Sequence, residues 1–152
     1  MSEVSGAKLR IRRSARIILL SPAQRVLMFR FNVTGRLPFW VTAGGECEAD
    51  ESFEQAARRE LFEETGFRAD PGPQIARTTP QFVTVEGELV QADERYFLVS
   101  TGDEWIDTAH HTPLERAVMT RHRWFTLSEL ANWHEELFPA NLAAIIGEHL
   151  QG

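Results

Sequence analysis

Residues 44–67 decide the fold, and they read GGECEADESFEQAARRELFEETGF. Residues 51–65 are predicted to form a helix, because apolar side chains recur there at a spacing of four. Asp50 or Ser52 can cap its start, and Gly66 stands where a helix commonly ends. The apolar stripe of this helix consists of Phe53, Ala57 and Leu61.

Three carboxylates lie beside that stripe, because residues three and four apart are neighbours on a helix. They are Glu60, Glu63 and Glu64. Like charges at this spacing repel each other, and Arg58 and Arg59 are not spaced to neutralise all three. An acidic helix face is usually just solvated. A divalent cation such as Mg²⁺, which prefers oxygen ligands, would also relieve the repulsion.

The surrounding residues favour the cation. The segment follows the pattern G-x5-E-x7-R-E-U-x-E-E-x-G-U without a mismatch, where U is an apolar residue. A chance match in a chain of this length is expected on the order of once in ten million sequences of average composition. The matching positions are Gly45, Glu51, Arg59, Glu60, Leu61, Glu63, Glu64, Gly66 and Phe67.

This pattern is the Nudix box, and the chain resembles the Nudix hydrolase superfamily over residues 45–67. The resemblance implies an α+β fold, an α/β/α sandwich with a central mixed sheet, in one domain over residues 1–152. It also implies hydrolysis of the pyrophosphate bond in a nucleoside diphosphate linked to another moiety. The cofactor would be Mg²⁺ or Mn²⁺, and a homodimer is compatible with the family.

The resemblance also implies roles for particular residues. Glu60 and Glu64 would be the principal metal ligands, Glu63 a third or water-mediated ligand, and the carbonyl of Gly44 a further one.

Arg59 would orient the glutamates by ion pairing, and Glu51 would help to hold Arg59. The general base is not fixed by the family, since some members use a box glutamate and others a distant loop. Glu60 is the candidate within the box. Glu115, followed by Glu94, is the candidate outside it.

Alternating and branched apolar residues predict strands through much of the remaining chain. The predicted strands are 9–20, 26–29, 39–41, 81–85, 88–91, 96–100 and 123–125, with a turn at Glu86-Gly87. Short helices are predicted at 128–133 and 141–150, and residues 101–116 are expected to be irregular.

Composition limits the classes of protein. The 152 residues carry a net charge of −6, which argues against nucleic-acid polymers and anionic membranes as partners. A single cysteine, Cys47, indicates a reducing compartment. The apolar run at residues 17–20 is too short for an export signal, so a cytoplasmic location is expected.

Several other residues could meet a substrate. Phe39 and Trp40 could stack on a base, although core packing is the commoner role of such residues. The pair at 110–111 and the run at 121–123 could contact metal or phosphate but are more typical of solvent-facing positions. Cys47 is expected to be an inert thiol, and Asp50 occupies a position where many family members have glycine.

The predicted substrate is therefore a small nucleotide derivative. Nucleoside triphosphates, nucleotide sugars and dinucleoside polyphosphates all contain the required bond. The alternative function is a Nudix-fold module that binds a nucleotide as a sensor without cutting it.

Overall fold

The computed structural model describes residues 8–150. The elements follow one another as β1 (Arg10–Leu20), β2 (Val26–Phe31), β3 (Phe39–Glu46), α1 (Phe53–Thr65), β4 (Gln74–Thr78), β5 (Gln81–Val83), β6 (Leu89–Ser100), α2 (Pro113–Val118), β7 (Met119–Phe125), α3 (Leu127–Asn132), β8 (Glu136–Phe138) and α4 (Leu142–Leu150). No helix in this part of the chain has the length and apolar character needed to cross a membrane.

The strands form one mixed sheet. Its main order is β4-β6-β1-β2-β3-β8, with β5 added to β6 and β7 added to β2. β1 runs parallel to β6 along its whole length, and β3 runs parallel to β8. The remaining pairs are antiparallel, including a direct contact of β1 with β3 at residues 14–17.

Helices cover both faces of the sheet, so the α+β sandwich predicted from the sequence is confirmed. α1 packs its Ala57 and Leu61 on one face, in a core that includes Ile17 and Phe97. α3 and α4 pack on the opposite face, in a second core around Trp40. β1 contributes to both cores because successive strand residues point to opposite faces.

Local hydrogen bonds set the ends of α1. The hydroxyl of Ser52 accepts from the backbone N–H of Gln55 at 3.0 Å, and the Gln55 side chain accepts from the N–H of Ser52 at 2.8 Å. This reciprocal cap starts the helix at Phe53 rather than at Glu51. Gly66 ends it with a φ of 81°. Asp50 has a φ of 70°, a conformation in which glycine is normally favoured.

Other boundaries differ more from the sequence predictions. The strands expected at 88–91 and 96–100 are one continuous strand, β6, because pairing with β1 extends through the charged residues between them. The expectation that 101–116 is irregular is wrong from Pro113 onward, where α2 begins. The short strands β4 and β8 were not predicted.

Candidate functional site

Two glycines bring β3 against α1. The backbone N–H of Gly44 donates to Glu64 Oε1 at 2.9 Å. A Cβ on Gly44, whose φ is 133°, would lie 2.1 Å from the carbonyl oxygen of Ala15. A Cβ on Gly45 would lie 2.4 Å from Glu60 Oε2. The missing side chain of Gly44 therefore lets β3 lie close to β1, and that of Gly45 leaves room for the Glu60 carboxylate of α1.

Three carboxylates meet at this junction. Glu60, Glu64 and Glu115 each offer an oxygen, and these atoms lie within 4.8 Å of one another. Glu60 and Glu64 come from successive turns of α1, whereas Glu115 comes from α2. An all-oxygen set of this kind suits Mg²⁺ or Mn²⁺.

Burial makes this cluster electrostatically costly when it is fully ionised. Burial raises the pKa of Glu60 to about 7, against the opposing effect of Arg59. Burial, followed by the repulsion from Glu60, also holds the pKa of Glu64 well above its usual range. The two side chains share a site in which a bound cation would favour the ionised forms.

Arg59 connects the cluster to the loop before α1. Its Nε and Nη2 donate to the two carboxylate oxygens of Glu51 at 2.7 and 2.9 Å, and Nη2 also donates to the carbonyl of Glu46 at 3.1 Å. Its Nη1 donates to Glu60 and to Glu63, both at 3.1 Å. Hydrogen bonding with Arg59 lowers the pKa of Glu51.

The structure does not bring every predicted residue into the cluster. The Glu63 side chain is 39% exposed and lies outside the group of three oxygens. Gly44 contacts the cluster through its N–H.

Glu94 is buried nearby in β6, where one of its oxygens accepts from the hydroxyls of Thr78 and Tyr96, both at 3.2 Å. Glu115 is therefore the base candidate that reaches the box glutamates.

A cleft of about 390 Å³ opens next to the carboxylates. Its lining includes the polar residues Arg12, Arg16 and Glu94 together with apolar side chains. The apolar side chains include Phe31, Phe39, Phe82, Leu114, Val118 and Phe138.

Phe39 and Trp40 lie on opposite faces of β3. Phe39 lines the cleft, stacked on Phe31 at 5.4 Å with Arg36 at 4.0 Å from its ring. Trp40 is 2% exposed in the second core, and its Nε1 donates to Glu135 at 2.7 Å. Trp40 is thus a core residue.

The remaining candidates have structural contacts. His111 Nε2 lies 2.9 Å from the carbonyl oxygen of Glu64, which ties the loop before α2 to the end of α1. His110 is exposed to solvent, and its ring lies beside the ring of Phe62. Burial raises the pKa of the Cys47 thiol, which agrees with an inert role.

Arg16 is a cleft residue that the motif does not contain. It lies in β1 beside Gly44, between the buried residues Ala15 and Ile17. In the sequence it looks like the last of the arginines that open β1, so its burial becomes evident only from the structure.

Comparison with known proteins identifies relatives. A sequence model described as the NUDIX domain matches residues 10–144. The MutT protein of Methanosarcina mazei Go1 superposes with a TM-score of 0.70 at 17% identity, covering 95% of this chain and 96% of that chain. The NUDIX domain of Shewanella oneidensis NrtR, solved in complex with ADP ribose, gives 0.67 at 18% identity and 99% coverage of both chains. A C. elegans Ap4A hydrolase binary complex gives 0.64 at 15% identity, with coverage of 93% and 98%.

Proposed function

Because the chain belongs to the NUDIX domain family, we propose that it hydrolyses the pyrophosphate bond of a nucleoside diphosphate linked to another moiety, with Mg²⁺ or Mn²⁺. The observation that carries this proposal is the cluster of Glu60, Glu64 and Glu115 beside the cleft. Two buried carboxylates at one junction are expensive to maintain unless a cation uses them.

Each residue has a distinct task in this proposal. Glu60 and Glu64 hold the ion, and Glu63 supports it through water from the exposed edge of the helix. The ion would neutralise the phosphate oxygens and lower the pKa of a bound water. Arg59 keeps Glu60 in place, and Glu51 holds Arg59.

Glu115 is the proposed general base. It is the least buried of the three carboxylates, and one of its oxygens already accepts the N–H of Thr112 at 2.8 Å. The other oxygen can take the proton of the attacking water. Glu60 is the alternative base.

The cleft supports a substrate with a phosphate part and an apolar or aromatic part. Its lining combines the carboxylates and Arg16 with several phenylalanine side chains. ADP ribose, the ligand of the similar Shewanella oneidensis structure, and Ap4A, after which the similar C. elegans hydrolase is named, both combine such parts. Nucleoside triphosphates, nucleotide sugars and dinucleoside polyphosphates are therefore the substrates to compare.

The test is a panel of these compounds with and without Mg²⁺, in which released phosphate, pyrophosphate and nucleotides are measured. We expect at least one compound to be cut only with the metal, and Glu64→Gln to abolish that activity. Glu54→Gln changes an exposed carboxylate on the same helix and serves as the control.

Binding of a compound without any turnover would favour the sensor function instead. Full activity of Glu64→Gln would contradict the role given to the cluster. The cytoplasmic location and the single domain over 1–152 stay predictions from the sequence, and the homodimer stays a possibility implied by the family resemblance alone.

A further inference from the structure

The Arg16 side chain uses little of its hydrogen-bonding capacity. It is 12% exposed, and its Nη2 lies 3.7 Å from Glu94 Oε2. Its Nη1 lies 3.5 Å from the carbonyl oxygen of Thr42, and its buried Nε has no partner among residues 8–150. A guanidinium offers five N–H donors, and both of the contacts given for the Arg16 guanidinium are long for hydrogen bonds.

A second unpartnered atom lies next to it. The buried hydroxyl of Thr42 also lacks a hydrogen bond, so two of the three such side-chain atoms found in residues 8–150 belong to this pair. Buried polar groups are normally satisfied, and exceptions call for an explanation. For Arg16, which lines the cleft, a ligand bound in the cleft is an explanation that fits its position.

The surroundings keep Arg16 charged and in place. Burial opposes its charge, but Glu94, Tyr96, Glu64 and Glu60 outweigh burial and raise its pKa. Glu94 is itself fixed, because its other oxygen accepts hydrogen bonds from two hydroxyls. The guanidinium is therefore held in the cleft wall, close enough to the box carboxylates to interact with them.

We propose that Arg16 binds a phosphate oxygen of the substrate and that Glu94 is the positioning residue that keeps its guanidinium directed into the cleft. This inference rests on the proposed function, since the phosphates would lie beside the carboxylate cluster. Planar guanidinium donors match phosphate oxygens in geometry and bind them strongly. The terminal nitrogens Nη1 and Nη2, whose contacts within the chain are long, would then donate hydrogen bonds to the substrate.

Arg12 provides a matched comparison. It lies on the same strand and lines the same cleft, with a side chain 19% exposed. Unlike Arg16, however, it makes one hydrogen bond of normal length, from Nη1 to the Ser14 hydroxyl at 2.8 Å, and its Nε lies 3.5 Å from Glu46. Removing its charge changes the net charge of the cleft as much as removing that of Arg16.

The experiment compares wild type with Arg16→Gln, Arg16→Lys, Glu94→Gln and Arg12→Gln. Binding of methylenediphosphonate, a diphosphate analogue whose P–C–P bridge resists hydrolysis, is measured by calorimetry with Mg²⁺, and KM and kcat are measured on the substrate found by the panel. Arg16→Gln should raise both Kd and KM about tenfold to a hundredfold, with a smaller change in kcat.

Arg16→Lys should recover part of the affinity, Glu94→Gln should weaken it less than Arg16→Gln does, and Arg12→Gln should change it by less than about threefold. Mn²⁺ binding to the Arg16 variants should stay close to wild type.

Two results would overturn the inference. One is wild-type affinity of Arg16→Gln for methylenediphosphonate, and the other is an equal loss in Arg12→Gln, which would indicate a general effect of charge. If Arg16→Gln fails to fold by circular dichroism, Arg16→Lys and Glu94→Gln test the same point through their KM. A wild-type protein that binds methylenediphosphonate through Arg16 but cuts no nucleotide would contradict the proposed hydrolysis alone.

Discussion

Arg59 and Glu51 are joined by two hydrogen bonds of 2.7 and 2.9 Å that link the middle of α1 to the loop before it. The fork of the guanidinium matches the two carboxylate oxygens, an arrangement that fixes orientation as well as distance. The remaining nitrogen of Arg59 then meets Glu60 at a fixed place. A residue of the loop thus determines where a carboxylate of the cluster lies.

Replacing Glu51 with Gln should therefore affect both stability and activity. We expect a loss of about 1–3 kcal/mol in the free energy of unfolding, because the partly buried Arg59 loses its charged partner. Turnover should fall about tenfold to a hundredfold, as is common when a residue that supports a ligand is removed. Urea unfolding and steady-state kinetics measure the two effects.

Glu48→Gln is the control for that change. Its carboxylate is 3.8 Å from Arg59 and 69% exposed, so it should contribute little. Equal effects of the two substitutions would show that the hydrogen-bonded geometry is unimportant.

Alanine at the two adjacent glycines should give different defects. In Gly44→Ala the added Cβ would clash with the backbone of β1, and alanine disfavours the positive φ at this position. The substitution should therefore destabilise the fold by about 3 kcal/mol or more. Gly45→Ala meets only the carboxylate end of Glu60, which can move. That variant should fold but bind Mn²⁺ at least about tenfold more weakly, as measured by calorimetry. Normal metal binding by folded Gly45→Ala would contradict the close packing described for Glu60.

Glu64→Gln and Glu115→Gln should separate metal binding from proton transfer. We expect Glu64→Gln to lose Mn²⁺ affinity and activity together. Glu115→Gln should lower kcat by roughly 10²–10⁴ while Mn²⁺ affinity changes much less, because a general base contributes mainly to the chemical step. If Glu115→Gln keeps its kcat, the proton passes to another group, and Glu60 becomes the candidate.

The stability of the metal-free protein should depend on pH through Glu60. Its pKa is raised from 4.5 to about 7 in the folded state. The folded protein therefore binds the proton more tightly than the unfolded chain does. The resulting contribution to the free energy of unfolding is fully present below pH 4.5 and is lost as pH rises through 7. The difference corresponds to roughly 3 kcal/mol.

The measurement is urea unfolding in a chelator between pH 4.5 and 7.5 for wild type and Glu60→Gln. The contributions of groups that Glu60 does not influence cancel when the two curves are subtracted, so the difference reports Glu60 together with its effect on Glu64. A difference that does not change over this range would contradict the assigned shift in pKa.

The sequence predicts the box helix well because its determinants are local. The caps at Ser52 and Gly66 and the apolar stripe all lie within the segment itself. The charged residues within 92–95 interrupt the apolar pattern of β6, and only pairing with β1 makes one strand of it. The short strands β4 and β8 likewise depend on partners distant in sequence.

The candidate site also contains residues that the sequence predicts and residues whose position depends on the tertiary structure. Glu60 and Glu64 follow from the motif, and their burial follows from a helix that packs on a sheet. The proximity of Glu115 depends on where α2 lies in the fold, which no local pattern encodes. The different positions of Phe39 and Trp40 follow from strand alternation, once it is known which face of β3 meets the cleft.

The N-terminal cap of α2 supports the proposed base from within its own segment. Glu115 and Thr112 hold each other in a reciprocal cap, with the N–H of Thr112 donating to the carboxylate at 2.8 Å and the N–H of Glu115 donating to the hydroxyl at 3.1 Å. The proposed base therefore brings its own support, a threonine followed three residues later by glutamate. A segment carrying this pair could be transplanted into a related scaffold as one unit, with the reactive carboxylate already oriented by its own backbone.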